Sequence, residues 1–127
     1  VDDLTYLRRG GRISAVAATV GTMLDLKPII TEGKNGKLLS TDKVRGRKQA
    51  LRTLAELAAQ NIDDPAEAEM YVLHADAPED ADRLVQLLRE KIPGLGNIST
   101  RYVGPVIGAH CGPGTVAVCF FGKERPY

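Results

Sequence analysis

Thiols are scarce in this chain: Cys111 and Cys119 are its two cysteines. They are eight residues apart, with no CxxC pair and no histidine at zinc-finger spacing. Such usage excludes a disulfide-stapled scaffold and fits an ordinary reduced, cytosolic chain. An excess of charge of either sign is also missing. Seventeen basic against sixteen acidic residues leave a formal net charge of +1. A general nucleic-acid binder would show a strong positive excess, so that class is set aside, though a local basic patch is not. No apolar run approaches the roughly 18 residues of a membrane span. No Walker A, HExxH or GxSxG motif occurs, and no internal repeat or low-complexity segment is visible. No secretory signal is present either. That absence says little, because the chain opens on Val1 without a methionine and reads as a piece of a longer protein.

What is present is enough for one domain. The 127 residues are 43% hydrophobic and 26% charged, typical of a single globular unit with a real core. Residues 2–9 read as the end of a helix, with Leu4 and Leu7 on one side and Gly10-Gly11 stopping it. Residues 13–24 (ISAVAATVGTML) are almost wholly apolar or small. That stretch is too short to span a bilayer and predicts a buried helix. Residues 27–31 and 37–40 read as two strands joined by a turn at Asn35-Gly36. A helix is predicted over 45–61 from the stripe Leu51, Leu54, Ala55, Leu57 and Ala58. Asp63-Asp64-Pro65 ends it. A strand follows over 69–75. Pro78 then opens a helix whose buried stripe is Leu84, Leu87, Leu88 and Ile92. Strands are predicted over 98–104 and 115–121. The order suits a two-layer α/β sandwich, with helices packed on a mixed or largely antiparallel sheet.

Four segments carry side chains that can do chemistry. Residues 104–114 (GPVIGAHCGPG) hold four glycines and two prolines, which predict an unusual loop with exposed backbone N–H groups. His110 in that loop has a ring able to donate to a carboxylate, and Thr115 just beyond has a hydroxyl. A tight turn capped by His110 is the plain alternative. Residues 7–14 set Arg8, Arg9 and Arg12 beside a Gly-Gly turn, with Ser14 placed to cap the next helix. Guanidinium forks near a helix start suit phosphate or carboxylate; solvated arginines are the plain alternative. Residues 43–48 (KVRGRK) form a dense basic patch, either a docking face for an acidic partner or an exposed helix start. His74 and Asp76 share a strand face, and His74 reads as a satisfied structural histidine. Cys119 reads as an inert core thiol. Cys111, beside His110, shows no sign of an activated nucleophile. The acidic residues Asp63, Asp64, Glu67 and Glu69 read as a solvated link rather than a metal site. On residues alone, an enzyme acting on a small phosphorylated or carboxylated metabolite through Arg8, Arg9 and Arg12 with the glycine loop, and a protein-docking module, both stay open.

Taken in order, these segments resemble the DegV family. The matching stretches are 7–14 (LRRGGRIS), 26–30 (LKPII), 36–37 with 43–51 (KVRGRKQAL), 104–114, and 122–123. The resemblance implies the C-terminal, lipid-binding domain of a two-domain α/β protein over residues 1–127, with a Rossmann-like N-terminal domain outside the chain. It implies a cytoplasmic protein that binds a long-chain fatty acid and presents it to the catalytic subunit of a fatty acid kinase, which makes acyl-phosphate for phospholipid synthesis. The presenting subunit is not itself an enzyme. It has no catalytic residue, metal or cofactor, no nucleic-acid partner and no integral membrane segment. His110, with Thr115 beside it, would bind the fatty-acid carboxylate. Arg12, with Arg9, would contact the partner or an anion. One departure stands out: Cys111 occupies a position where the family often has threonine, so a hydroxyl contact is lost there. The absent half implies weak binding, or none, by these 127 residues alone.

Overall fold

The computed structural model describes residues 1–127, with the side chain of Val16 left aside. Ten main elements follow in order: α1 (Leu4–Arg9), α2 (Ala15–Met23), β1 (Leu26–Glu32), β2 (Leu38–Arg45), α3 (Arg47–Asn61), β3 (Glu69–His74), α4 (Pro78–Lys91), β4 (Asn97–Tyr102), α5 (Pro105–Cys111) and β5 (Val116–Cys119). The mixed α/β class predicted from the pattern is what the chain adopts. The strands divide, however, into a β1-β2 hairpin and a three-stranded sheet of order β4-β3-β5.

The three-stranded sheet is the centre of the larger core. β3, α4 and β4 form a parallel crossover, and β5 returns antiparallel on the other side of β3. Period-two alternation along β3 buries Met70, Val72 and His74 and leaves Glu69 and Tyr71 exposed. Against the buried face lie Leu51, Ala55 and Ala58 of α3, and Ala81, Leu84, Leu87 and Leu88 of α4. The alanines of α3 let α4 come close, and the leucines of α4 fill the space that remains. Pro78 sits in the first turn of α4, with Glu79 and Asp80 beside it and Arg89 and Lys91 in the last turn. Both charge placements suit the helix dipole. The predicted stripe Leu84, Leu87, Leu88 and Ile92 is buried throughout.

A smaller cluster holds the N-terminal helices. Leu4 and Leu7 of α1 and Ala18 of α2 are buried together, with Ile13, Ile30 and Cys111 packed around them. Asp3 caps α1 by accepting from the Thr5 N–H at 2.8 Å; this bond holds the Asp3 carboxyl below its ordinary pKa. Lys27 of β1 ties the segment before α1 to the hairpin, with Nζ 3.2 Å from Asp2 and 3.0 Å from Asp25. Burial pulls the Lys27 pKa down, but the bonds to Asp25 and Asp2 outweigh it and leave the pKa raised.

Four expectations need correction. The helix over 13–24 is not buried: Val20 is 49% and Met23 81% exposed. A helix apolar all round has no preferred face, and among the described residues it is the side bearing Ala18 and Gly21 that meets partners. β2 runs five residues beyond its predicted end, because its pairing with β1 continues to Arg45. α3 therefore starts at Arg47, after Gly46 turns the chain with φ +82°. Residues 104–114 are not a loop. Pro105, with φ suited to a first helical turn, opens the seven-residue helix α5. Cys119 is exposed rather than a core thiol. It pairs across from Tyr71, on the sheet face away from α3 and α4. Partial burial and then the Glu32 carboxylate push its thiol pKa up, so it stays a poor nucleophile.

Leu88 is fully buried between the sheet and α3, so Leu88→Ala should cost about 2–5 kcal/mol of unfolding free energy. Met23→Ala, at an exposed position, should shift it by no more than about 0.5 kcal/mol. Urea denaturation of the two variants checks both; equal effects would contradict this division of core and surface.

Candidate functional site

Two segments far apart in sequence meet at one place. α1 ends at Gly10-Gly11, and α5 packs across that end. A Cβ placed on Gly10 would lie 2.8 Å from Cδ2 of the His110 ring. A Cβ on Gly112 would collide with the Tyr6 ring, and Gly112 also has φ +81°. Glycine at both points lets the two helices touch.

His110 lies in the last turn of α5, half-buried. Its Nδ1 is 2.8 Å from the Val106 carbonyl, one helical turn back. A carbonyl only accepts, so Nδ1 carries the proton and donates. Nε2 is left to face a ligand: it accepts from an acid when the ring is neutral, and donates to an anion when the ring is charged. Val106 and Ile107 of the same helix are 68% and 55% exposed. The imidazole therefore has uncovered apolar surface on its own helix.

Arg12 also reaches Gly10. Its exposed guanidinium folds back, Nη1 donating to the Gly10 carbonyl at 2.6 Å. Arg12 and His110 thus both touch the same glycine. Arg9 is exposed in the last turn of α1, with its guanidinium carbon 6.0 Å from the Tyr6 ring centroid. Ser14 caps α2 as predicted, accepting from the Ala17 N–H at 3.1 Å.

Thr115 is buried, and its Oγ1 donates to the Cys111 carbonyl at 3.0 Å. Its hydroxyl proton is engaged in closing the end of α5, so its direct effect is on the helix that carries His110. His74 is the satisfied structural histidine the strand pattern predicts. It is buried, Nδ1 accepts from the Ala77 N–H at 3.1 Å, and its ring lies 4.5 Å from that of Tyr102.

The basic patch 43–48 divides. Lys43, Arg45 and Lys48 are exposed, while Arg47 turns inward to Asp80 and the Gly114 carbonyl. An open hollow of about 300 Å³ between α1 and α2 is lined by Thr5, Arg8, Ala18, Thr19, Thr22 and Met23. Arg8 is its one cation among the lining residues, and Thr19 and Thr22 donate their hydroxyl protons to the Ala15 and Ala18 carbonyls instead of into the hollow. A second, of about 320 Å³, is lined by Asp2, Asp3 and Asp25 along with Lys27, and its carboxylates would repel an anion. His110 lines neither hollow. Among the described residues, no group of three His, Cys, Asp or Glu side chains could hold a metal ion, and no helix is long and apolar enough to cross a membrane.

Sequence patterns missed the inward turn of Arg47 and the pairing of Val106 with His110. The signal for the second was there: with Pro105 read as a first helical residue, 106 and 110 fall at the i, i+4 spacing.

Fold and geometry together define an α/β domain that seats one imidazole on a glycine turn, among arginines and exposed apolar side chains. In the described contacts neither histidine bonds to a serine, threonine or cysteine side chain, as a nucleophile–base pair requires. Residues 1–123 match the family described as "Uncharacterised protein, DegV family", and the chain belongs to that family. A DegV domain-containing protein of Clostridium perfringens is 42% identical over 125 residues, 98% of this chain and 43% of its own length. The fatty acid binding DegV family protein of Streptococcus agalactiae superposes with a TM-score of 0.76 at 31% identity, over 98% of this chain and 43% of that one. DegV of Bacillus subtilis, a fatty acid binding protein, gives 0.70 at 34% identity, over 97% and 43%. The chain thus spans less than half the length of the relatives it matches.

Gly10→Ala tests the seat of the imidazole. Gly10 has φ −78°, which alanine adopts freely, so any effect comes through the contact with His110. The added methyl should displace the ring and change the His110 imidazole signals in an NMR spectrum. Unchanged signals would mean the ring does not rest on Gly10.

Proposed function

We propose that this chain supplies one wall of a fatty-acid carboxylate site, centred on His110 and completed by a segment outside these 127 residues. The supporting observation is the meeting of His110 with the Gly10–Arg12 turn. It sets a hydrogen-bonding imidazole of fixed orientation against the glycine turn whose carbonyl holds the Arg12 guanidinium, on a helix with exposed Val106 and Ile107. A fatty acid needs few polar contacts at its head and much apolar surface along its chain. Each buried CH₂ contributes about 0.8 kcal/mol. The solved relatives at 31% and 34% identity are described as fatty acid binding proteins, which agrees with this reading. Thr115 acts in it by closing α5 behind His110.

The finer reading is that the whole protein is a non-catalytic carrier. It presents its fatty acid to a kinase subunit, in the cytoplasm where ATP is at hand. Exposed Arg9 and Arg12 at the rim suit contact with an acidic partner surface or with a phosphate being transferred. The bound fatty acid is then the only small molecule the protein needs, with no metal or cofactor.

Full-length protein expressed in bacteria should carry a co-purified fatty acid in native mass spectrometry; a clean apo mass would count against the proposal. His110→Ala should weaken binding about 10- to 100-fold, the scale of one hydrogen bond to a charged group, with unchanged retention removing His110 from the site. Arg12→Glu should leave the fatty acid bound but lower acyl-phosphate formation with a partner kinase. Loss of both together would place Arg12 at the ligand instead of the partner.

A further inference from the structure

We propose that Arg47 is a positioning residue for His110, its guanidinium holding the turn that ends α5. The inference rests on the carboxylate-site reading and deepens it.

Arg47 is the first residue of α3. A cation there faces the positive end of the helix dipole, which is unfavourable. The side chain is nevertheless drawn in, 22% exposed. Its Nε donates to Asp80 Oδ2 at 2.9 Å. Its Nη2 lies 2.9 Å from the same oxygen and also donates to the Gly114 carbonyl. Its Nη1 is 4.0 Å from Asp2 Oδ1. One planar fork therefore joins the first turn of α4, the turn after α5, and the segment before α1. A guanidinium can make these contacts together; a single ammonium cannot match the geometry.

Two of these contacts, those to Gly114 and Asp2, lead toward the imidazole. Gly114 lies four residues past His110, with φ +87° and its absent Cβ position 2.8 Å from the Asp2 side chain. Its N–H donates to the Ala75 carbonyl at 2.7 Å. Between the two, the Gly112 N–H closes α5 on Gly108 at 2.7 Å, and Thr115 closes it on Cys111. The last turn of α5 is thus held from behind by Arg47. α1, which supplies Gly10 beneath the ring, is tied to the same guanidinium through Asp2. Both sides of the seat converge on one side chain. Without Arg47, Asp2 keeps Lys27, while among the described contacts the Gly114 carbonyl has no other donor.

The test uses the full-length protein with ¹⁵N-labelled histidine and reads two things: the His110 ring signals and fatty-acid affinity. In the unaltered protein, His110 should show a protonated Nδ1. Arg47→Ala should give averaged tautomer signals at His110 and about a tenfold or greater loss of affinity. Arg47→Lys should behave like Arg47→Ala, since it keeps the charge but not the fork, and it carries the test if the alanine variant does not fold. Lys48→Ala, at an exposed neighbour, should change neither readout. A folded Arg47 variant with unchanged His110 signals overturns the proposal, whatever its affinity. If the signals shift while retention is unchanged in both Arg47→Ala and His110→Ala, Arg47 does position the ring and the carboxylate reading fails instead.

Discussion

The close approach of α5 to α1 is the contact on which the candidate site depends. It happens at two glycines. At Gly10 the missing side chain makes room for the His110 ring, and at Gly112 for the Tyr6 ring. Any larger residue at Gly112 would meet Tyr6 and would also be forced to hold φ +81°. Elsewhere in the chain, glycines at Gly36 and Gly94 stand in open space and serve only a turn. The site-forming glycines are of another kind: they set an interhelical distance. That distance brings an arginine turn near position 12 to a histidine near position 110.

The rest of the fold explains why this contact can be held steadily. The larger core joins α3, α4 and the three-stranded sheet through closely packed alanine, leucine and valine side chains. Among the described residues, the smaller cluster under α1 and α2 has three buried apolar residues. Such a cluster opens more easily than a dense core. The tie from Asp2 to Arg47 crosses from the small cluster to the firm one, and the tie from Asp2 to Lys27 fastens the same segment to the hairpin. Polar contacts here do what packing does elsewhere, fixing the position of a lightly packed unit against a rigid one. They leave α2 and α5 with exposed apolar faces, the usual mark of a surface meant to meet something.

Much of this was legible in the sequence because periodicity reports burial within an element. α4 showed its buried stripe, its proline start and its charged ends, and the structure has all three. β3 showed its alternation, and His74 its structural role. What periodicity cannot report is which elements meet. The apolar stretch 13–24 gave a helix correctly but not its exposure, since a helix apolar all round points nowhere in particular. Glycine content misled over 104–114: four glycines suggested a loop, yet packing against α1 and a proline start stabilise a helix there. Cys119 was misplaced for a similar reason. Its strand was predicted correctly, but a one-residue difference in facing separates core from surface. For the site, the residues were visible as segments, and their resemblance to one family gave them roles. Their convergence on Gly10 was not visible, because it depends on contacts about 100 residues apart.

The geometry also narrows what the imidazole can contribute. With Nδ1 donating to Val106, Nε2 and a carboxyl group must share one proton. Either a charged ring donates to a carboxylate, or a neutral ring accepts from the acid. Both give one hydrogen bond in a fixed direction, set by the helix rather than by the ligand. On the proposed reading, that bond contributes about 1.5–3 kcal/mol, while a long alkyl chain at about 0.8 kcal/mol per buried CH₂ contributes far more. His110 then supplies the smaller share of the affinity. It decides which end faces the arginine turn and how deep the head group sits. For a protein that has to offer a carboxylate to a partner, orientation is the property that matters, and the rigid Nδ1 bond, the glycine seat and the Arg47 fork all act on orientation.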